Sequence, residues 1–421
     1  MCFNGKRLLV LGGADIHTKV VECANEMGIY TIVTDYYSNS PAKMIASQAL
    51  DYSATDVDSI VRWCQSHSVD GVLSVGIDPL QIAYQQICER LNLPCYGTKE
   101  QFRIMTNKAE FKKFCNLHQV NVVPDYMVED VYCNTVSYPI MIKPTDSRGS
   151  RGQTICYTKP QAMDAISFAK QESADNRIIC EKYMEGYQDI SNAFFVVDSE
   201  PYLVKFGDRF LGKKEDNLDR QAMCTRLPSV YSEEFARNSM EKVKNMIRSL
   251  GIKYGPVFLQ GFLDMEGNVF YYDPGLRMPG SDYERILKRA TGFDIVKSLI
   301  AFSLTGDNKI CYGNPQHCYL LGGGKACILD ISARAGLIQK IDYPMNLKND
   351  SHIVYYSQRL HEEDVIPNSG DIRQRVAEFS IFISREEKAS ISETIESIYH
   401  NYHVLDTNQN DMIISRVSNN I

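Results

Sequence analysis

The segment Tyr138-Pro-Ile-Met-Ile-Lys143-Pro144 delivers a lysine at the end of an apolar strand, and Pro144 halts that strand. Thr145-Asp-Ser147-Arg-Gly149-Ser150-Arg151-Gly152 follows. Two glycines among small hydroxyl residues let the backbone bend close to an anion and aim N–H groups at it. A lysine beside such a loop can grip the β and γ phosphates of a nucleotide; the bland alternative is a polar hairpin turn with a surface lysine. Further groups add to the first pair. Lys108 opens a helix upstream and can converge on the same phosphates. Ile178-Ile-Cys-Glu181-Lys182-Tyr183-Met184 is an apolar strand whose end could pair with a purine edge, and Asp189 could hold ribose hydroxyls. Asp273 and Arg277 lie two strand-repeats apart, so a continuing strand would put a metal-binding carboxylate and a phosphoryl-stabilising cation on one face.

The order of these motifs resembles the ATP-grasp superfamily, and within it the carbamoyl-phosphate synthetase and biotin carboxylase branch. The Lys143-Pro144 and Gly149-Ser150-Arg151-Gly152 pair carries most of that resemblance. It implies an ATP-dependent ligase that phosphorylates a carboxylate and hands the acyl phosphate to an amine, ammonia or similar nucleophile. It implies ATP and Mg²⁺ or Mn²⁺ as cofactors, small-molecule carboxylate and amine substrates as partners, and a homodimer as a common state. Lys108, Lys143, Ser147, Gly149, Ser150, Arg151 and Gly152 would then hold the phosphates. Glu181, Lys182 and Met184 would border the adenine, Asp189 the ribose, and Arg277 would act on the transferring phosphoryl group.

The metal end departs from that pattern. The family's Glu-x-Asn-x-Arg run reads Asp273-Pro-Gly275-Leu-Arg277, and an earlier metal-binding glutamate stands as Gln260. A neutral amide is a weak substitute where Mg²⁺ takes anionic oxygen. Asp264 falls too far along the hairpin to replace it, and Asp282 and Glu284 are the remaining candidates. Gln260 and Asp273 are therefore the expected metal residues. The rival reading is an ATP-binding module with a degenerate metal site and no catalysis.

The elements that must position these groups follow from hydrophobic periodicity. Through residue 104 the chain alternates buried strands with helices, as a parallel α/β domain requires (1–104). The expected helices include Asp56–His67, Pro79–Leu91 and Asn107–Leu117. From 105 to 308 antiparallel strands predominate, with a hairpin at 264–268, one helix over Glu233–Leu250, and a mobile lid over about 121–187. Residues 309–421 form a strand-rich C-terminal domain with one helix near Ile391–Asn401. The fold class is thus α/β and α+β: a pre-ATP-grasp Rossmann-like domain, an ATP-grasp clamp and a strand-rich tail.

Composition narrows the function classes. The net charge of −7 disfavours a nucleic-acid binder, which needs a basic face. No window approaches the roughly 18 uninterrupted apolar residues of a membrane helix. The 13 scattered cysteines include no Cys-x-x-Cys pair and read as reduced core residues of a cytoplasmic protein. Gly12-Gly13 followed by Asp35 lacks the Gly-x-Gly-x-x-Gly spacing of a dinucleotide fold, so an NAD-dependent oxidoreductase is a minor alternative. Gly322-Gly323-Gly324-Lys325 fails the phosphate-loop spacing and reads as a glycine-rich hairpin. Arg334 reads as a turn residue, with a substrate carboxylate as its functional alternative.

Overall fold

The computed structural model describes residues 3–145, 152–173 and 176–417. Strands β1 (Arg7–Leu11), β2 (Tyr30–Thr34), β3 (Gln48–Leu50) and β4 (Gly71–Leu73) form a parallel sheet in the order β3-β2-β1-β4. Leu8, Leu9, Val10 and Leu11 are all buried, so both faces of this sheet are covered. Helices Asp15–Glu26 and Val57–His67 make crossovers, and Asp78–Leu91 follows β4. Asp56 starts the second of them by accepting the Ser59 N–H. The Gly12-Gly13 turn is closed internally. Gly12 has φ +101°, and a Cβ there would meet the His17 ring at 2.4 Å, while the Gly13 N–H donates to Asp35 Oδ2.

A small antiparallel sheet follows: β5 (Asp125–Tyr126), β6 (Ile140–Pro144), β7 (Thr154–Cys156) and β8 (Ile178–Lys182), ordered β5-β8-β6-β7. Helix Lys159–Glu172 packs on it, started by the Thr158 side chain. Ile140, Ile142, Ile166, Ala169 and Cys180 give this unit an apolar core separate from the main one.

Among the described residues the largest sheet has nine strands, all paired antiparallel. Its first members are β9 (Gln188–Val197), β10 (Glu200–Leu211), β11 (Ala222–Leu227), β12 (Gly255–Leu263), β13 (Val269–Gly275) and β14 (Lys325–Ala333). They run β13-β12-β9-β10-β11-β14 and continue through Arg375–Ile383 to Ile353–Gln358, with Ile413–Ile414 also against β14. Tail strands thus extend the sheet begun mid-chain, because β14 supplies the free edge of β11 with a partner.

Two local expectations change. The helix expected over Glu233–Leu250 is two helices, Ser232–Asn238 and Met240–Ser249. Ser239 breaks it, its hydroxyl donating to the Gly267 carbonyl. The segment Gly322–Gly324 is no hairpin: it ends a 3₁₀ turn, Cys318–Gly323, in which Leu321, Gly322 and Gly323 all have positive φ.

Candidate functional site

A cavity of about 700 Å³ lies between the small sheet, the largest sheet and the start of helix Asp78–Leu91. Lys108, Lys143, Glu181, Lys182, Asp189, Gln260, Asp273 and Arg277 all line it. These eight come from segments scattered over about 170 residues of chain, and the tertiary fold brings them together.

The lysine end is built from two helix positions and two strand ends. Asn107 caps helix Lys108–Leu117 by accepting the Ala109 and Glu110 N–H groups at 3.0 and 3.1 Å. This sets Lys108 at the cavity wall, its Nζ 3.2 Å from Asp273 Oδ1. Burial opposes charge on Lys108, but Asp273, Glu181 and Asp78 together outweigh it and the ammonium titrates above its ordinary value. Lys143, at the end of β6, donates to Glu181 Oε2 at 2.7 Å. Lys112, one turn beyond Lys108, donates to Glu181 Oε1 at 2.9 Å and to Asp125 at 2.5 Å. Burial penalises the Glu181 carboxylate, yet Lys143 and Lys112 more than offset this and hold its carboxyl below the usual range. The Glu181 side chain therefore belongs to the lysines.

Gln260 on β12 stands directly across from Asp273 on β13. The Gln260 amide has no hydrogen-bond partner among the described residues and faces the cavity. Asp264 closes the hairpin by accepting the Glu266 and Asn268 N–H groups. Asp282 and Glu284 pair with Lys19 at 2.8 and 2.7 Å, so neither replaces the missing metal-binding acid. Arg277 sits over the Phe258 ring and makes a two-pronged pair with Asp78, with Nη2 2.9 Å from Oδ2. Among the described residues no three His, Cys, Asp or Glu side chains converge as a metal-ligand set.

At the opposite end, Asp189 accepts from Arg209 at 2.8 Å, and Tyr272 shares that contact. Burial pushes the Asp189 carboxyl up, against the pull of Arg209. Met184 is buried and faces a second cavity of about 440 Å³ shared with Tyr183 and Asp189. Gly152 has φ +68°, and a Cβ there would meet Pro144 at 2.7 Å, so Gly152 itself lies against the end of β6. Ser147, Gly149, Ser150 and Arg151 lie outside the described residues. Arg334 pairs with Asp406 at 2.7 Å and is not on the cavity wall.

Several cavity residues escape motif reading: Asp78, Lys205, Arg209, Asp330 and Arg375, with Lys112 behind the wall. The usable signals were modest. Lys108 and Lys112 are one helical turn apart, and Lys205 and Asp330 are charges inside otherwise apolar strand runs.

The chain is similar to known proteins in sequence and in fold. Residues 100–304 match the family described as carbamoyl-phosphate synthase L chain, ATP binding domain. The mitochondrial propionyl-CoA carboxylase alpha chain of Caenorhabditis elegans is 22% identical over 337 residues, 73% of this chain and 44% of that one. This chain therefore spans less than half of that relative. The L-amino acid ligase of Bacillus licheniformis superposes with a TM-score of 0.76 at 15% identity, over 96% of this chain and 100% of that chain. The biotin carboxylase domain of Hydrogenobacter thermophilus 2-oxoglutarate carboxylase, solved with MgADP, ADP and bicarbonate, gives 0.72 at 17% identity, over 95% and 90%. Lysines, a strand carboxylate and an arginine occupy one cleft beneath a small sheet, residues 100–304 match the ATP-binding domain family, and the chain shares its fold with these ligase and carboxylase structures.

Proposed function

We propose that this protein is an ATP-dependent ligase that activates a carboxylate as an acyl phosphate for attack by an amine, ammonia or similar nucleophile. The convergence of Lys108, Lys143, Gln260, Asp273 and Arg277 on one cavity carries this reading. Two ammonium groups and a guanidinium can neutralise phosphates that must approach a second anion, the substrate carboxylate. Apolar lining from Met141, Phe258 and Phe262 suits a purine and its exclusion from water. Residues 1–104, 105–308 and 309–421 act as substrate domain, clamp and C-terminal domain. Residues 121–187 act as the lid, a role supported by the separate apolar core of the small sheet.

Asp273 and the Gln260 amide oxygen fit one Mg²⁺ that completes its shell with phosphate oxygens and water, an ordinary arrangement for that ion. They supply one formal charge fewer than two carboxylates. When bound there, the cation would neutralise phosphate charge. Arg277 must exchange Asp78 for a phosphoryl oxygen, and Lys108 must share Asp273 with the cation.

The test is release of ADP and phosphate from ATP with a panel of carboxylates paired with amines or ammonia. Stimulation by a particular pair is expected. ATP binding with no stimulation by any pair would sink the ligase reading in favour of a non-catalytic nucleotide-binding module.

A further inference from the structure

Most cations of the cavity face a carboxylate. Lys108 lies 3.2 Å from Asp273, Lys143 2.7 Å from Glu181, Arg209 2.8 Å from Asp189 and Arg375 3.1 Å from Asp330, while Arg277 is clasped by Asp78. Lys205, on β10, departs from that pattern. It lines the same cavity and is only 4% exposed, yet its ammonium makes no hydrogen bond or ion pair among the described residues. It faces the Tyr283 ring, 5.2 Å from the centroid. A ring attracts a cation less than a carboxylate does, so burial strips this ammonium of water with little return. A lysine so placed gives up its proton readily and then presents a lone pair. Burial, with Arg209 adding to it, pushes the Lys205 ammonium down to about 8, against the pull of Glu378, Glu284 and Asp330.

Strand register fixes where that lone pair lies. Lys205 stands opposite Ala193 on β9, and Ala193 stands opposite Phe258 on β12. The three side chains therefore share one face of the sheet and one level along it. Only β9 separates β10 from β12, so those two backbones are about 10 Å apart. The Arg277 guanidinium sits over the Phe258 ring, 5.1 Å from its centroid. Gln260, across from Asp273, follows two residues along β12 on the same face. Lys205 thus approaches from one side the region that Arg277, Gln260 and Asp273 approach from the other.

We propose that Lys205 is the general base of the second half-reaction, its neutral amine taking a proton from the nucleophile that attacks the acyl phosphate. Such a group is needed because ammonia or an amine arrives near neutral pH as an ammonium ion without a lone pair, and a base works best when it titrates near the working pH. The freed nitrogen forms the C–N bond to the acyl carbon. The C–O bond to the phosphoryl group breaks with its electron pair, and the second nitrogen proton leaves on the phosphate. Other groups around the cavity are less suited. Lys108 is held protonated by its carboxylates, Lys143 is committed to Glu181, and an arginine does not release its proton in this range. Asp273 and Asp189 are engaged by Lys108 and Arg209.

This role rests on the ligase reading, and the experiment separates the two. Full-length protein is given ATP, Mg²⁺ and a panel of carboxylates, with ammonium chloride, primary amines or hydroxylamine as the nucleophile. Hydroxylamine is already neutral near neutral pH and needs no base, so hydroxamate formation reports the acyl phosphate alone. In the parent protein, amide formation should rise with pH and level off above about 8, and hydroxamate formation should lack that rise. Lys205→Gln and Lys205→Arg should each lower amide formation about 100-fold or more, with hydroxamate formation changed less than about threefold. Calorimetric binding of a non-hydrolysable ATP analogue reports that both variants are folded. Amide formation retained by Lys205→Arg overturns the proposal, because charge alone would then suffice. Equal loss of amide and hydroxamate in Lys205→Gln also overturns it, marking Lys205 as a group that holds phosphate or carboxylate, and leaves the ligase reading intact. Absence of hydroxamate from the parent protein with every carboxylate removes the ligase reading and the base together.

Discussion

Glu181→Gln isolates the electrostatics at the lysine end. Glu181 is buried between Lys143 at 2.7 Å and Lys112 at 2.9 Å, with side-chain exposures of 4%, 4% and 6% for Glu181, Lys143 and Lys112. At such distances each pair is worth about 6 kcal/mol of Coulomb attraction at an effective dielectric constant of about 20, before desolvation is subtracted. Removing one member of a buried pair leaves its partner charged and costs about 3–5 kcal/mol. An unfolding entropy of roughly 2.1 cal/mol/K per residue puts the drop in melting temperature at about 3–6 °C if the chain unfolds in one transition. The amide can still accept hydrogen bonds, so shape is retained and charge is what changes. Lys112→Met removes one of the two cations that Glu181 compensates, so the double variant should recover part of the loss. A bound ATP analogue supplies anionic oxygens to Lys143 and should narrow the gap further. Calorimetry of the single and double variants, with and without the analogue, measures all of this. A Glu181→Gln protein melting within about 1 °C of the parent, with no recovery on adding Lys112→Met, would refute the reasoning.

Three more outcomes are expected. Gln260→Glu restores a carboxylate opposite Asp273 and should lower the Mg²⁺ concentration for half-maximal ADP release about tenfold; an unchanged Mg²⁺ dependence argues against a metal at that strand pair. Arg277→Met should cut the maximal rate of ADP release about 100-fold or more while changing ATP-analogue affinity far less, because the guanidinium acts where charge develops. A parallel loss of affinity would instead mark Arg277 as a binding residue paired with Asp78. The third concerns pH. The Asp330 carboxyl is raised from 3.8 to about 7 in the fold, so between those values the native state holds more protons than the unfolded chain, and stability falls as pH rises. Wild type should therefore lose stability relative to Asp330→Asn from about pH 4 to pH 7 in urea titrations. A difference that stays constant or widens in wild type's favour contradicts the assigned burial. Arg375 loses one of its two carboxylate partners in that variant and keeps Glu378 at 3.6 Å, which shifts the offset and not the slope.

What the sequence determined by itself is the set of local signals and their order. Leu8–Leu11 reads as a doubly covered strand because every residue in it is apolar, and it is buried on both faces. Lys143 before Pro144 reads as a strand end because proline cannot continue the ladder, and β6 ends there. Helix Lys108–Leu117 was marked by Asn107, whose side chain caps it. These are short-range effects of chain geometry, visible within a few residues.

The tertiary structure decided which charges meet. Arg277 looked free to reach a phosphoryl group until helix Asp78–Leu91 brought Asp78 to it across 199 positions of sequence. Asp282 and Glu284 were open candidates for the metal until Lys19 took both. Glu181 reads from the sequence only as a strand-end residue beside an adenine, and the fold alone shows its side chain held by Lys112 and Lys143. Lys205 and Asp330 carried no motif, since each is a single charge between apolar neighbours, Val204 and Phe206 for one and Leu329 and Ile331 for the other. Only the order β9-β10-β11-β14 puts them on one face of one cavity. Ion pairing depends on separations of a few ångströms, which periodicity along a strand or helix does not encode.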